Sequence, residues 1–124
     1  MATGLENLNV FKQSFELAMM IFEESKKFPK EEKYSLTDQI RRSSRSVCAN
    51  LAEAYRKRKY LSHFISKLTD ADMENTETQV WLKFSKTCNY ISEEEYKEMN
   101  SNSQVIGRMI DHMIHNPEKF ARNW

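Results

Sequence analysis

The chain has 124 residues, of which 40% are hydrophobic and 30% are charged, and its formal net charge is +1. This composition argues against a disordered tail, and no apolar run approaches the roughly 20 residues that a membrane span requires. Only two glycines and two prolines are present, far fewer turn residues than an all-β or α/β fold needs. We therefore predict one all-α domain, residues 1–124, made of long helices with short connections.

The first predicted helix covers residues 7–27 and carries two apolar lines. The line that we assign to the core recurs at spacings of three and four. Its members are Leu8, Phe11, Phe15, Ala18, Met19 and Phe22. A second line lies roughly 140° around the helix and consists of Val10, Leu17, Ile21 and Phe28. The Phe28-Pro29 pair ends the helix, because a residue before proline is disfavoured in the α region.

The second predicted helix covers residues 35–56 and begins at Ser35, whose side chain is expected to cap it. One stripe of this helix combines apolar residues with two serines and is assigned to the core. It consists of Leu36, Ile40, Ser43, Ser44, Val47, Leu51 and Ala54. Segment 56–59 has no apolar period, and we interpret it as the turn to the next helix.

The third helix is predicted at residues 61–86 and the fourth at residues 93–115. The core stripe of the third is Phe64, Leu68, Ala71, Asn75, Thr78 and Leu82. Two of these positions are polar, and a second apolar line passes through Met73, Val80 and Phe84. The fourth helix begins with a capping box between Ser92 and Glu95. It carries Tyr96, Met99, Ser103, Ile106, Ile110 and Met113 on one face. It ends before Pro117, and tail 116–124 has no clear pattern.

Four such helices with short connections predict an antiparallel up-down four-helix bundle. The second apolar lines make helices one and three apolar over a wider sector than an outer bundle helix needs. Either these lines meet a second neighbour inside the bundle, or they form a subunit interface in a homo-oligomeric ring. The interface hypothesis involves Val10, Leu17, Ile21, Phe28, Met73, Val80 and Phe84.

Motifs for catalysis or metal binding are missing from the sequence. None of His63, His112 and His115 follows a glutamate by three residues, so the Glu-x-x-His motif of di-metal bundles is absent. There is no glycine-rich phosphate loop and no nucleophile elbow. Cys48 and Cys88 belong to no Cys-x-x-Cys motif and are expected to be ordinary thiols in a reducing compartment. We predict a cytoplasmic, non-enzymatic protein with no metal, no cofactor and no membrane association.

Charge is distributed unevenly along the chain. Residues 33–59 hold eight Lys or Arg and two acids, a net of +6, whereas residues 70–98 hold three Lys and eight acids, a net of −5. Such asymmetry indicates either a polyanion site or two elements that pair with each other. The candidate phosphate contacts are Arg41, Arg42, Arg45, Arg56, Lys57, Arg58 and Lys59. The alternative is that this basic face meets the acidic third helix, within a subunit or between subunits.

Six short segments carry a family resemblance. In chain order they are Leu8-Asn9-Val10-Phe11, Phe28-Pro29-Lys30-Glu31-Glu32, Gln39-Ile40-Arg41-Arg42, Asn50-Leu51-Ala52-Glu53, Glu77-Thr78-Gln79 and Tyr90-Ile91-Ser92-Glu93-Glu94-Glu95-Tyr96. Across residues 5–114 this set resembles the 23S rRNA intervening-sequence protein family, also called the four helix bundle protein family. The resemblance implies an up-down bundle that assembles into a ring-shaped homopentamer. It also implies kinship with the accessory protein of diversity-generating retroelements, a basic pentamer that works with a reverse transcriptase and nucleic acid.

The leading hypothesis is a non-enzymatic, homo-oligomeric scaffold that binds RNA or a nucleic-acid-processing protein through its arginines and lysines. The alternative is a protein–protein adaptor whose arginines form inter-subunit ion pairs, and a metal-dependent enzyme ranks third. Five polar residues are expected to form a structural network across helices two and three. They are Gln39, Asn50, Glu53, Glu77 and Gln79. If Glu53 pairs with a buried arginine, Glu53→Ala should cost ~2–4 kcal/mol.

Overall fold

The computed structural model describes residues 4–121, and all of the regular structure in that range is helical. The α-helices are α1 (Asn9–Ser25), α2 (Asp38–Arg56), α3 (Leu61–Thr87), α4 (Glu93–His115) and α5 (Glu118–Ala121). Gly4–Asn7 and Lys30–Glu32 form 3₁₀ turns, and Lys33–Thr37 forms a π-helical turn that continues into α2. The predicted tail therefore contains the short helix α5. Residues 1–3 and 122–124 of the predicted domain lie outside the described residues.

The four long helices pack side by side. Helix α1 contacts α2 and α4, and helix α3 contacts the same two, so α1 and α3 occupy opposite corners of the bundle. Short connections between adjacent helices make successive helices antiparallel. Accordingly, Lys27, just after α1, meets Glu95 in the first turn of α4, with Nζ and Oε2 3.1 Å apart. The predicted all-α fold of four packed helices is confirmed.

The core stripes predicted for the last three long helices lie inside the bundle. The largest fully buried apolar side chains of these helices are Ile40, Leu51, Phe64, Leu68, Leu82, Met99, Ile106 and Ile110. Each such side chain stabilises the fold by about 1.5–3 kcal/mol relative to an exposed one. Tyr96 is only partly buried and packs against the edge of this core.

Helix α1 faces the core with the opposite line from the one that the sequence analysis assigned to it. Val10, Leu17 and Ile21 are buried, whereas Phe15 and Met19 are 55% and 44% exposed. Small residues, Ser14 and Ala18, accompany the buried line and let α1 approach its neighbours closely. Bulky phenylalanines at those positions would hold the helices apart. The assignment of Phe15 and Met19 to the core is therefore wrong, whereas Ala18 of the same line is buried and Leu8 and Phe11 pack against the core.

The start of α2 also differs from the prediction, because the π-helical turn extends the helix backwards and places Ser35 inside it. The cap is instead Glu32, whose Oε1 accepts hydrogen bonds from Ser35 Oγ at 2.6 Å and from the Leu36 backbone N–H at 3.4 Å. Tyr90 donates its hydroxyl to Glu32 Oε2 at 2.9 Å. Hydrogen bonds from Ser35 and Tyr90 lower the pKa of Glu32, and the bond to Glu32 raises that of Tyr90 to about 12.

The capping box of α4 is present as predicted and supplies a pH-dependent stabilisation. Glu95 Oε1 accepts from the Ser92 backbone N–H at 2.8 Å, and this bond, followed by that from Lys27, lowers the pKa of Glu95 to about 2. Because the pKa of Glu95 is lower in the folded protein than its ordinary value of 4.5, the ionised carboxylate stabilises the fold at pH values above 4.5. This stabilisation is lost as the pH falls from 4.5 to about 2.

We therefore expect Glu95→Ala to lower the urea midpoint at pH 7, and this difference from wild type to narrow as the pH approaches 2. Glu94→Ala is the matched control, because Glu94 lies exposed in the same first turn. Equilibrium unfolding followed by circular dichroism measures both variants. A Glu95→Ala defect that is the same at pH 7 and pH 3 would contradict the assignment.

Candidate nucleic-acid interface

The outer face of α2 carries a row of exposed arginines. Helical spacing places Arg42, Arg45 and Arg56 on this face, with the small residue Ala49 between them, and all four are exposed. Among residues 4–121, none of the four arginines of α2 forms an ion pair with a carboxylate. Because the guanidinium group is always charged, this face presents unneutralised positive charge to the surroundings.

Arg41 is placed differently from the other arginines of the set. It is half-buried, donates from Nε to Ser25 Oγ at 2.7 Å and lies 4.8 Å from the centre of the Phe22 ring. Arg45 lies over the same ring at 5.5 Å. Phe22, from the exposed line of α1, is therefore covered by two guanidinium groups, in a cation–π arrangement. Arg41 joins α1 to α2, whereas Arg45 keeps its outward exposure.

The turn after α2 extends the basic surface. Lys57 and Lys59 are exposed, and Arg58 is half-buried with its guanidinium carbon 3.6 Å from the centre of the Tyr55 ring. Arg58 thus covers one face of the Tyr55 ring, which leaves that face closed to a stacking base. Tyr60 stays 56% exposed and contacts His63 edge to face. Of the two tyrosines, Tyr60 is the one open to a partner.

The acidic helix α3 does not neutralise the α2 arginines directly. The side-chain ion pair between the two helices has the opposite polarity, with Glu53 on α2 and Lys67 on α3. Arg42 forms no ion pair with Glu74 and affects the pKa of that carboxyl only through its positive charge. Burial and the neighbouring Glu77 raise the pKa of Glu74, and the positive charge of Arg42 partly offsets that rise. Pairing of the basic face with α3 inside one subunit therefore has little support.

The five residues predicted as one polar network belong to separate contacts. Lys67 Nζ reaches both Glu53 Oε1 at 2.7 Å and Asn50 Oδ1 at 3.2 Å. Glu77 accepts a hydrogen bond of 3.2 Å from Nε1 of Trp81, which lies on the same helix, α3. Gln39 borders a small apolar cavity beside Trp81 and Phe84. A single network of these residues across α2 and α3 is not what the structure contains.

The buried polar centre of the bundle is built mainly from other residues. Asn75 on α3 donates from Nδ2 to the Ser103 carbonyl at 2.8 Å and accepts at Oδ1 from Ser103 Oγ at 2.9 Å. Gln79 Nε2 also reaches Ser103 Oγ, at 3.0 Å. Ser43 and Thr78 share a hydrogen bond of 2.8 Å between α2 and α3. Polar residues at core positions of the helical period were the sequence signal for this centre.

Glu53 is 57% exposed at its side chain and pairs with a lysine rather than with a buried arginine. Solvent screens such a pair, and exposed ion pairs contribute about 0–1 kcal/mol. We therefore expect Glu53→Ala to cost less than ~1 kcal/mol, in place of the larger loss expected from the sequence. Urea titration of the variant beside Glu98→Ala, which removes an exposed acid from α4, measures this cost. A loss above 2 kcal/mol would restore the original expectation.

The predicted interface residues divide into two groups. Val10, Leu17 and Ile21 are buried within the single chain, so their assignment to a subunit interface is wrong, because no second subunit is needed to cover them. Phe28 is half-buried against the Tyr90 ring, with 5.5 Å between ring centres. Met73, Val80 and Phe84 are exposed on α3, and we call them the α3 apolar surface. Phe15 and Met19 form a corresponding α1 apolar surface.

The described part of the chain contains neither a cluster of metal ligands nor a membrane-spanning helix. No group of three or more His, Cys, Asp or Glu side chains within residues 4–121 is arranged to hold a metal ion. His115 instead contacts its helical neighbour Asp111, with Nδ1 and Oδ1 3.3 Å apart. None of the described helices is both long and apolar enough to span a membrane.

Comparison with known proteins agrees with the fold and with the sequence motifs. The family model of the 23S rRNA-intervening sequence protein matches residues 6–112. The chain belongs to this family. The family resemblance seen in the sequence is therefore confirmed. No match was found among curated proteins.

This intervening-sequence protein is also similar to a solved structure. It is a protein of unknown function from the S23 ribosomal protein family of Bacteroides thetaiotaomicron VPI-5482. The two chains are 33% identical, the match covers 85% of this chain and 97% of the other, and the TM-score is 0.77. This intervening-sequence protein therefore shares its helical architecture with a relative of unknown function.

Proposed function

We propose that this intervening-sequence protein is a non-enzymatic, cytoplasmic scaffold that binds RNA, or a nucleic-acid-processing partner, through the outer face of α2. The observation that carries the proposal is the row of Arg42, Arg45 and Arg56, exposed and without ion pairs in residues 4–121. Phosphate groups are the partners that fit such a row, because guanidinium groups bind them through paired hydrogen bonds. Lys57 and Lys59 extend the contact beyond the helix.

The proposed scaffold is a homo-oligomer. Its support is the position of the α1 and α3 apolar surfaces on opposite corners of the bundle. A contact between one surface and the other on the next subunit is heterologous, and repeating it produces a closed ring if the rotation closes. Five subunits is the number that the family resemblance implies. A ring would repeat the arginine row around its circumference and present several phosphate sites to one RNA.

Phosphate binding has a definite salt signature. Each neutralised phosphate contributes about −0.7 to −0.9 to the slope of log affinity against log salt concentration. We expect the double variant Arg45→Ala/Arg56→Ala to reduce the magnitude of the slope by about 1.4–1.8 and to weaken binding of every RNA tested. Fluorescence anisotropy with a labelled RNA hairpin, at four potassium chloride concentrations, measures the slope.

The matched control is Lys12→Ala/Lys97→Ala, which removes two exposed cations from α1 and α4 and should leave the slope unchanged. Equal slopes in wild type and in the arginine variant would remove the α2 face from the proposal. Absence of RNA binding even at low salt would remove RNA itself. If the arginine variant then loses its oligomeric state, the adaptor with inter-subunit ion pairs is the function that the data support.

A further inference from the structure

Two adjoining cavities lie at the end of the bundle where α1 begins and α4 ends. The larger, of about 550 Å³, opens between the start of α1 and the second half of α4. The smaller, of about 280 Å³, lies between the Gly4–Asn7 turn, the end of α2 and the start of α3. Four residues border both cavities, namely Asn7, Leu8, Met113 and Phe120. The larger volume falls in the range of about 300–1,000 Å³ that small-molecule sites occupy.

The walls of the larger cavity are mostly apolar. Val105 and Met109 from α4 and Leu8 and Val10 from α1 contribute side chains, and Phe120 of α5 closes one side. Most of these residues belong to the core or pack against it, so the walls are held by the fold. An apolar interior of this kind favours an alkyl chain or an aromatic ring, because either displaces water from apolar surface.

Positive and hydrogen-bond-donating groups border the cavities. Arg108 is exposed and borders the larger cavity, and it forms no ion pair within residues 4–121. Arg58 and Lys119 border the smaller one. No aspartate or glutamate among the described residues lines either cavity, although the chain has 18 such residues. The charge pattern around these two cavities therefore suits an anion, while the groove on the other side of Arg108 and His112 contains Asp72 and Asp111.

His112 supplies a second polar side chain at the border of the larger cavity. Its Nδ1 accepts from Asn116 Nδ2 at 3.3 Å, and the same amide nitrogen donates to the His112 carbonyl at 3.0 Å. With the amide nitrogen as donor, this contact fits the imidazole tautomer that has its proton on Nε2. His112 and Arg108 are one helical turn apart on α4 and border the same cavity.

We propose that the larger cavity binds a small amphipathic anion, whose apolar part fills the space between α1 and α4 and whose carboxylate or phosphate group contacts Arg108 and His112. This site is separate from the arginine row of α2. It does not depend on RNA binding, so either proposal can fail without the other.

Displacement of a fluorescent anion tests the site in the full-length protein. We expect 8-anilinonaphthalene-1-sulfonate to bind and decanoate to displace it, whereas decyltrimethylammonium, with the same chain and the opposite charge, should displace it much less. Vesicles of phosphatidylglycerol distinguish a free anion from a lipid headgroup. Displacement by decanoate without sedimentation on vesicles indicates the free anion, and displacement with sedimentation that Arg108→Gln abolishes indicates the headgroup.

Two variants locate the binding. Arg108→Gln should weaken decanoate about tenfold, because it removes a charge-assisted hydrogen bond, while Arg45→Gln, the same change far from the cavity, should have no effect. Val105→Trp should fill the cavity and abolish binding, and circular dichroism verifies its fold. Arg108 is exposed, so Arg108→Gln stays informative if Val105→Trp does not fold. The proposal is overturned if decanoate fails to displace the dye, if the cationic analogue displaces it equally well, or if Arg108→Gln binds like wild type.

Discussion

Replacing Asn75 by alanine is expected to destabilise the protein by ~2–4 kcal/mol, one of the two largest effects that we expect. Asn75 is 2% exposed and holds α3 to α4 through two hydrogen bonds with Ser103. Alanine removes both bonds, leaves a small cavity and deprives buried Ser103 groups of their partner. The helices lie close together at this point, since a β-carbon on Gly107 would lie 3.3 Å from Asn75 Nδ2, tighter than an ordinary van der Waals contact.

Urea unfolding at a fixed protein concentration measures the loss in the Asn75→Ala variant. Asn100→Ala is the matched control, because it is the same substitution in α4 at a partly exposed position without a side-chain hydrogen bond in the described structure. We expect the control to stay within about 0.5 kcal/mol of wild type. A similar midpoint shift in the two variants would mean that the Asn75–Ser103 pair contributes nothing beyond an ordinary helical asparagine.

Helix positions follow closely from the sequence because local rules determine them. Helix α4 begins and ends where a capping box and a following proline place it, and α3 differs by a single residue at its end. The first turn of α2 escaped prediction, because Glu32 caps it across a π-helical turn that no local sequence rule indicates. Helical period and ordinary caps are short-range properties that a sequence contains, whereas a cap that acts across a π-helical turn is not one of them.

Contacts between helices could not be predicted as well. On α1 both apolar lines fit a helical period, so periodicity could not decide between Leu17 and Phe15 as the buried residue. Close packing decided it, because the buried face of α1 runs from Leu17 past the small residues Ser14 and Ala18 and ends before the bulky Phe15. The partner of Glu53 depended in the same way on how α2 and α3 lie against each other. The relative position of α2 and α3 places Lys67 beside Glu53, and a single sequence does not reveal how the two helices are positioned.

The exposure of the arginine row could be predicted from the sequence, because it does not depend on how the helices pack. Exposed charges follow from the polar side of the helical period, and Arg42, Arg45 and Arg56 lie on that side in the structure as well. Arg41 shows where such reasoning ends, because its contact with Ser25 and Phe22 depends on the position of α1. Arg42, Arg45 and Arg56 therefore remain exposed for phosphate contact, while the neighbouring Arg41 holds α1 to α2.

Self-association provides the second large expected effect, and the structure changes which residues test it. Phe15→Asp and Val80→Asp should each dissociate the oligomer to a folded monomer of 14.8 kDa, because both side chains are exposed on the single chain. Leu17→Asp should instead unfold the protein, because Leu17 is 4% exposed and burying an unpaired charge costs several kcal/mol. Sedimentation velocity paired with circular dichroism separates dissociation from unfolding.

The pattern across the variants is the decisive measurement. Ser101→Asp adds the same charge at an exposed position on α4 and should leave both the mass and the helical content unchanged. Dissociation by Phe15→Asp and by Val80→Asp is expected together, because a heterologous contact joins the α1 surface of one subunit to the α3 surface of the next and needs both. Dissociation by one alone would point to a two-fold contact of that surface with itself. A wild-type monomer at micromolar concentration would refute the ring, and the two apolar surfaces would then have to meet another protein.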